Sequence, residues 1–239
     1  MRNPAKLVIC TATVAVIGLS SLAKADFLSV PNFSFEAPTE AGGSGDLGSV
    51  TGGTSGITDW DLSGAFTASG GVFANDTPNQ FTSLPDGRQF AFIDAWRSGN
   101  QTSLTLDPAA NTLPTIDPAG AYTLTVAIGQ RADYQPAGSV AIQLLADGNV
   151  VASNTLDANS ITPGTFTDLS TTLTAPQAAT LGGQQLSIRI VDTNTTSNND
   201  KSEVALDNVR LFTTAVPEPA SLGVLLIGAA ALLTKPRRA

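Results

Sequence analysis

Apolar and polar positions alternate one for one along several short stretches of the chain. Tyr122–Ile128 reads YTLTVAI, and Leu186–Val191 and Val204–Leu211 follow the same rhythm. Ser139–Leu145 is followed by Asp147-Gly148 and then Val150-Val151, the pattern of two strands joined by a tight hairpin. Arg88–Asp94, Gln101–Leu106 and Phe166–Leu173 add further strands. A period of two predicts half-buried strands, because successive side chains point to opposite faces. Eight to ten such strands, punctuated by Gly, Pro, Asn and Asp, predict an all-β protein built as a β-sandwich. Trp60 and Tyr122 are expected in its core. Gly42–Gly56 is a Gly/Ser/Thr loop, and the chain shows no internal repeat.

The two ends break the pattern. Arg2 and Lys6 precede an apolar run from Leu7 to Leu22, and Ala23-Lys24-Ala25 has the small-x-small spacing of a cleavage site. Residues 1–25 therefore read as a secretory signal peptide. At the other end, Leu222–Leu233 is twelve residues without a charge. As a helix it spans roughly 18 Å, short of the ~30 Å hydrocarbon core. Lys235, Arg237 and Arg238 follow at once and are expected to stay on the cytoplasmic side. Such a run suits a temporary membrane stop. The expected division is a signal peptide over 1–25, a β-sandwich over 26–214 and a C-terminal tail over 215–239.

Setting the ends aside sharpens the charge. Residues 26–216 keep six of the 12 Lys and Arg but 19 of the 20 acids, a formal charge of −13. That composition argues against nucleic acid as a partner and fits a solvated exported protein. The one Cys, Cys10, lies in the signal peptide, so the domain has neither disulfide nor thiol chemistry. No His occurs anywhere, which removes Ser-His-Asp catalysis and the usual zinc sets. Carboxylates, Tyr, Arg and oxygen-liganded cations remain.

Three resemblances rest on named residues. Asn32-Phe-Ser-Phe-Glu36 at the start and Leu206-Asp-Asn-Val209 at the end resemble the galactose-binding-like jelly rolls of carbohydrate-binding modules. With Asp59-Trp60, Pro85-Asp-Gly-Arg-Gln89, Gln101-Thr-Ser-Leu104, Tyr122–Val126, Gly129 and Arg131, the layout also resembles exported bacterial domains related to the calcium-dependent cyclases of indole alkaloid biosynthesis. Both imply a jelly-roll sandwich in which the early Glu and late Asp, here Glu36 and Asp207, hold a structural Ca2+. Val216-Pro-Glu-Pro219, the apolar run and the basic end resemble the PEP-CTERM sorting signal. That resemblance implies passage through the secretion machinery, inner-membrane insertion as an intermediate, processing by an exosortase, and delivery to the cell surface or extracellular matrix.

Candidate chemistry lies in two loops. Trp96-Arg97 and Arg131, Asp133 and Tyr134 are expected to line one concave face, rings for sugar C–H faces and polar groups for hydroxyls. In a catalytic reading, Asp94 and Asp133 are the acids and Tyr134 a hydrogen-bond partner. The run from Asp192 to Glu203 has EF-hand-like oxygen spacing, but Ser197 stands where glycine is needed, so it reads as a solvated loop. The resulting expectation is a non-catalytic surface or matrix protein whose sandwich binds polysaccharide. A purely structural matrix protein, a cyclase-like enzyme and a glycan-active enzyme are the alternatives.

Overall fold

The computed structural model describes residues 25–39, 56–64, 69–75, 80–96, 98–134, 138–194 and 201–215. Among the described residues eleven strands follow in chain order: β1 Ala25–Leu28, β2 Trp60–Gly64, β3 Ser69–Ala74, β4 Gln89–Trp96, β5 Gln101–Leu106, β6 Gly120–Gln130, β7 Gly138–Ala146, β8 Asn149–Asp157, β9 Thr165–Leu173, β10 Leu186–Asn194 and β11 Lys201–Ala215. A single helical turn, α1 Ala175–Ala178, links β9 to β10. Among the described residues no helix is long and apolar enough to cross a membrane. The expected signal peptide, most of the Gly42–Gly56 loop and the C-terminal tail, with Val216, Pro217, Glu218, Pro219, Lys235, Arg237 and Arg238, lie outside the described residues.

The strands form two antiparallel sheets. One runs β3-β4-β11-β6-β9, with β1 also on β11, and the other β2-β5-β10-β7-β8. This is the expected jelly-roll-type sandwich. Along β6, Tyr122, Leu124, Val126 and Ile128 point between the sheets, where they meet Ile142, Leu144, Ile188 and Ile190. Trp60 and Tyr122 are buried there as expected, Trp60 against the Phe35 ring at 5.5 Å. The Tyr122 hydroxyl accepts the Asp117 N–H at 2.7 Å, which satisfies its polar end. The predicted hairpin forms at Asp147-Gly148, both with positive φ, as a two-residue turn matching the strand twist requires.

At one end of the core the sheets are joined by polar groups. Asp192 on β10 is wholly buried, and its Oδ2 lies 2.6 Å from the Ser202 hydroxyl on β11. The same hydroxyl lies 3.2 Å from the Ala95 carbonyl, which also accepts from the Asn194 side chain at 2.7 Å. Burial pushes the Asp192 carboxyl up to about 7, and the nearby Asp94 charge adds to that. Neither Asp192 nor Glu203 is the solvated loop residue expected from the sequence; both are buried in strands.

Native Asp192 keeps a proton that the unfolded chain releases near 3.8. Its contribution to stability is therefore full at low pH and is lost as pH rises toward 7. Between about pH 5 and pH 8 the loss from this group is roughly 2–3 kcal/mol. Chemical denaturation of Asp192→Asn is expected to show a flatter pH dependence than wild type over that range. Asp207, raised in the same direction, keeps the dependence from vanishing. An unchanged pH profile in the variant would contradict a neutral Asp192.

Candidate active site

The outer face of the six-stranded sheet carries the chemistry. In β3, β4 and β11 the residues turned away from the core form rows across the strands. Ser69 pairs with Asp94, and Asp94 with Glu203. The next row runs Gly71, Phe92, Ala205, Gly129 and Phe166. Small residues alternate with rings in that row, which leaves space for rings from neighbouring positions. Phe73 stacks on Phe92 at 4.5 Å, Phe81 meets Phe90 edge-on at 4.9 Å, and Phe81 lies 4.3 Å from Phe166. A Cβ on Gly129 would stand 2.5 Å from the Phe166 ring, so this position must be glycine for the ring to lie there.

Arg131 follows the last residue of β6 and reaches back over this aromatic floor. Its guanidinium sits 4.9 Å from the Phe73 ring centre and 5.7 Å from that of Tyr134. Nε and Nη2 donate to the two oxygens of Asp133 at 2.9 Å each, and Nη1 donates to Glu203 at 2.7 Å. Hydrogen bonding to Arg131 holds the Asp133 carboxyl below the usual range. Burial works against the Arg131 charge, but the bonds and charges of Asp133 and Glu203 outweigh it and raise its pKa. Asp94 is buried beside this group, and its Oδ2 accepts from the Ser69 hydroxyl at 2.7 Å. Two buried carboxylates, a guanidinium and stacked rings thus meet on one sheet face. Such a group can hold a proton and stabilise a positive charge next to an apolar surface.

Arg131, Asp133 and Tyr134 stand together, and Asp94 pairs with Glu203 beside them. The Trp96 backbone closes β4 instead of standing in a loop; its side chain and Arg97 lie outside the described residues. Sequence reasoning missed Glu203 and Phe73. Glu203 was absorbed into an apparent loop, and Phe73 lies in SGGVFA, too rich in glycine to read as a strand.

Glu36 and Asp207 also come together, on either side of the Asp86–Gln89 loop. Glu36 Oε1 accepts the N–H groups of Arg88 and Gln89 at 2.7 and 2.8 Å. Asp207 accepts from the Asp86 N–H at 3.0 Å and from the Asn208 N–H at 2.6 Å. Gly87 has φ +57°, and a Cβ there would fall 2.0 Å from Glu36 Oε1. Burial, with the Asp86 and Glu36 charges behind it, pushes the Asp207 carboxyl up to about 7. Among the described residues, no three acids converge as a metal cluster.

The outer face of the other sheet holds a groove of about 630 Å3, lined by side chains such as Ser63, Gln101, Gln143, Arg189 and Thr193. Among the described residues, no aromatic ring lines it. A sugar face would find no ring to pack on there, so this groove is not the aromatic-lined concave surface that the polysaccharide reading needs.

A family model described as HpiC1 cyclase, HpiC1-like, matches residues 26–212. No curated protein matches. Among solved structures, an apo cyclase from Fischerella sp. is 25% identical, with TM-score 0.62, covering 80% of this chain and 98% of that one. The Stig cyclase Fisc from Fischerella sp. TAU, in complex with (3Z)-3-(1-methyl-2-pyrrolidinylidene)-3H-indole, is 23% identical, with TM-score 0.61 and the same coverage. A cyclase from Fischerella sp. TAU in complex with 4-(1H-indol-3-yl)butan-2-one is 23% identical, with TM-score 0.57, covering 79% of this chain and 97% of that one. The expected non-catalytic polysaccharide-binding or matrix module is overturned by the family match over nearly the whole sandwich: this chain belongs to the HpiC1-like cyclase family.

Proposed function

We propose that this protein is an exported enzyme of cyclase type that binds an aromatic substrate on the outer face of the six-stranded sheet. The observation that carries the reading is the Arg131 guanidinium resting on the Phe73 ring beside Glu203. The buried carboxylates of Asp94 and Glu203 beside the stacked rings suit a substrate that becomes cationic during ring closure. Asp94 is the proton carrier in this reading. It gives a proton to a substrate double bond, the aromatic carbon attacks the cation to form the new C–C bond, and the proton displaced from that carbon returns to the carboxylate. The reaction is an isomerisation and consumes no co-reactant. Glu203, held by Arg131, positions the guanidinium and keeps negative charge next to the cation.

A structural Ca2+ belongs to the same proposal. Glu36 and Asp207 offer only oxygen donors, as a hard cation prefers, and they close on one loop with Asp86 nearby. A cation held by Glu36 and Asp207, with backbone oxygens in place of a third acid, would offset the repulsion that the Glu36 and Asp86 charges exert on Asp207 and so fasten the loop; no catalytic step passes through it. Residues 1–25 and Val216-Pro-Glu-Pro219 with its basic end support export, an exosortase partner and surface or matrix delivery.

Titration with 4-(1H-indol-3-yl)butan-2-one tests the substrate site. Saturable binding is expected, weakened about threefold to tenfold by Phe73→Leu and unchanged by Thr172→Ala on the same sheet. No saturable binding, or equal affinity in Phe73→Leu, would overturn the site. Added Ca2+ is expected to raise the unfolding midpoint, EDTA to lower it, and Asp207→Asn to abolish the difference; a midpoint indifferent to Ca2+ removes the ion. Mass spectrometry of protein recovered from the producing cells is expected to show Asp26 as the first residue and the tail beyond the Pro-Glu-Pro missing. An intact 24.4 kDa chain would refute the processing.

A further inference from the structure

We propose that the groove on the outer face of the five-stranded sheet is a second binding site, for a hydrophilic organic carboxylate held by Arg189. Charge is the first argument. The domain carries 19 acids, yet among the described residues lining this groove there is none, and Arg189 is the one charged group. An anionic ligand meets no repulsion from the lining and finds one cation at its floor. Asp61, in the same row of the sheet as Arg189, is separated from it by Thr105 on the intervening strand and does not line the groove.

Preorganisation is the second argument. Arg189 Nε donates to Gln143 Oε1 at 2.7 Å, across neighbouring strands whose register pairs the two residues. That bond fixes the plane of the guanidinium. Arg131 and Arg210 are each ion-paired within the protein, whereas among the described residues no carboxylate pairs with Arg189. Its two Nη groups are left to form the parallel bonds that suit a carboxylate.

The surrounding groups set the rest of the ligand's character. Gln101 Nε2 donates to the Thr193 hydroxyl at 3.1 Å, which leaves the Gln101 carbonyl oxygen as an acceptor. The Ser63 and Ser103 hydroxyls lie 2.8 Å apart and Ser103 also reaches the Ser63 carbonyl at 3.5 Å, so the pair presents hydroxyl lone pairs as further acceptors. Amides and hydroxyls therefore flank the cation beside the small apolar Ala141–Val191 pair, and no ring lines the groove among the described residues. A ligand carrying hydroxyl or amide groups besides its carboxylate satisfies them, and a hydrocarbon or a bare aromatic does not. The site lies on the opposite outer face from Phe73 and Arg131 and stands independently of the proposed activity.

Calorimetric titration of the whole protein with L-malate and with citrate tests this, using malamide as the uncharged control. Saturable binding of at least one acid is expected, with malamide at least about tenfold weaker and Arg189→Gln weakening the acid at least about tenfold. Phe73→Leu is expected to leave the affinity unchanged. An unfolding midpoint for Arg189→Gln close to wild type shows that the loss is not unfolding; Gln143→Leu, which frees the guanidinium plane while keeping the charge, is expected to weaken binding by a smaller factor. No saturation by either acid up to roughly 10 mM, equal binding of malamide, or binding that survives Arg189→Gln each overturns the proposal.

Discussion

A serine hydroxyl has one proton to donate, and Ser202 faces two acceptors. Its oxygen lies 2.6 Å from Asp192 Oδ2 and 3.2 Å from the Ala95 carbonyl. Both contacts are satisfied when Asp192 carries a proton and donates it to the serine, which then donates to the carbonyl. Below about pH 7 the acid of one sheet is thus bonded uncharged to the other sheet inside a core where an unpaired charge would be costly. That bond also fixes the register of β11. Ser202 must face inward, so Glu203 must face outward, next to Asp94 and Arg131. A slip of one residue would bury the glutamate between the sheets and turn the serine to the outer face. The candidate active site depends on this core contact, though none of its own side chains lies in the core.

The outer face above β4 and β11 is a small second core. Phe81, Phe90 and Ala205 are buried there, with Phe73, Leu84 and Phe166 packed against them. Gly71, Ala205 and Gly129 keep the backbone row low enough for those rings to lie across it. A face so covered is not an ordinary solvated surface, and the buried ends of Asp94 and Glu203 open onto it. Arg131 supplies the compensation, using its donors on two carboxylates and its flat faces on two rings. An arginine can do both at once because its guanidinium is planar and weakly hydrated.

Much of the sandwich is legible in the sequence because both sheets bury one face. Alternation in Tyr122–Ile128 and Leu186–Val191 marks inward positions correctly, and the Asp-Gly turn places a hairpin. Phe90 and Phe92 alternate as well, but outward, with Ala91 and Ile93 facing the core. Two apolar faces make a continuous apolar run, and period alone does not say which side holds a site. Asp192 and Glu203 were misread for a related reason. Polar letters at the ends of strands look like a loop until a partner strand shows them to be buried. The grouping of Arg131, Asp133 and Tyr134 was legible because it is local. The partner that completes it, Glu203, is 72 residues away from Arg131, and no short motif connects them.

The motifs that carry the family resemblance have a physical role separate from either outer face. The extra residue in β11 between Asp207 and Arg210 interrupts the ladder with β6. Asn208 takes positive φ there, as Asn32 does near the start of the domain, a conformation asparagine tolerates better than most residues. Val209 then donates its N–H to the Phe33 carbonyl at 2.7 Å, while Asp207 and Glu36 hold the same loop from two sides. Asn32 adds bonds to the Ala37 and Thr58 carbonyls. These residues fasten the first and last segments of the sandwich to each other and to the Asp86–Gln89 turn. A fastener of this kind can be kept whatever ligand the sheets carry, because none of its bonds reaches Phe73, Arg131 or Arg189. The residues that close the fold are thus separate from the outward rows, where the two sheets present different chemistry: rings and acids around Arg131 on one, amides and hydroxyls around Arg189 on the other.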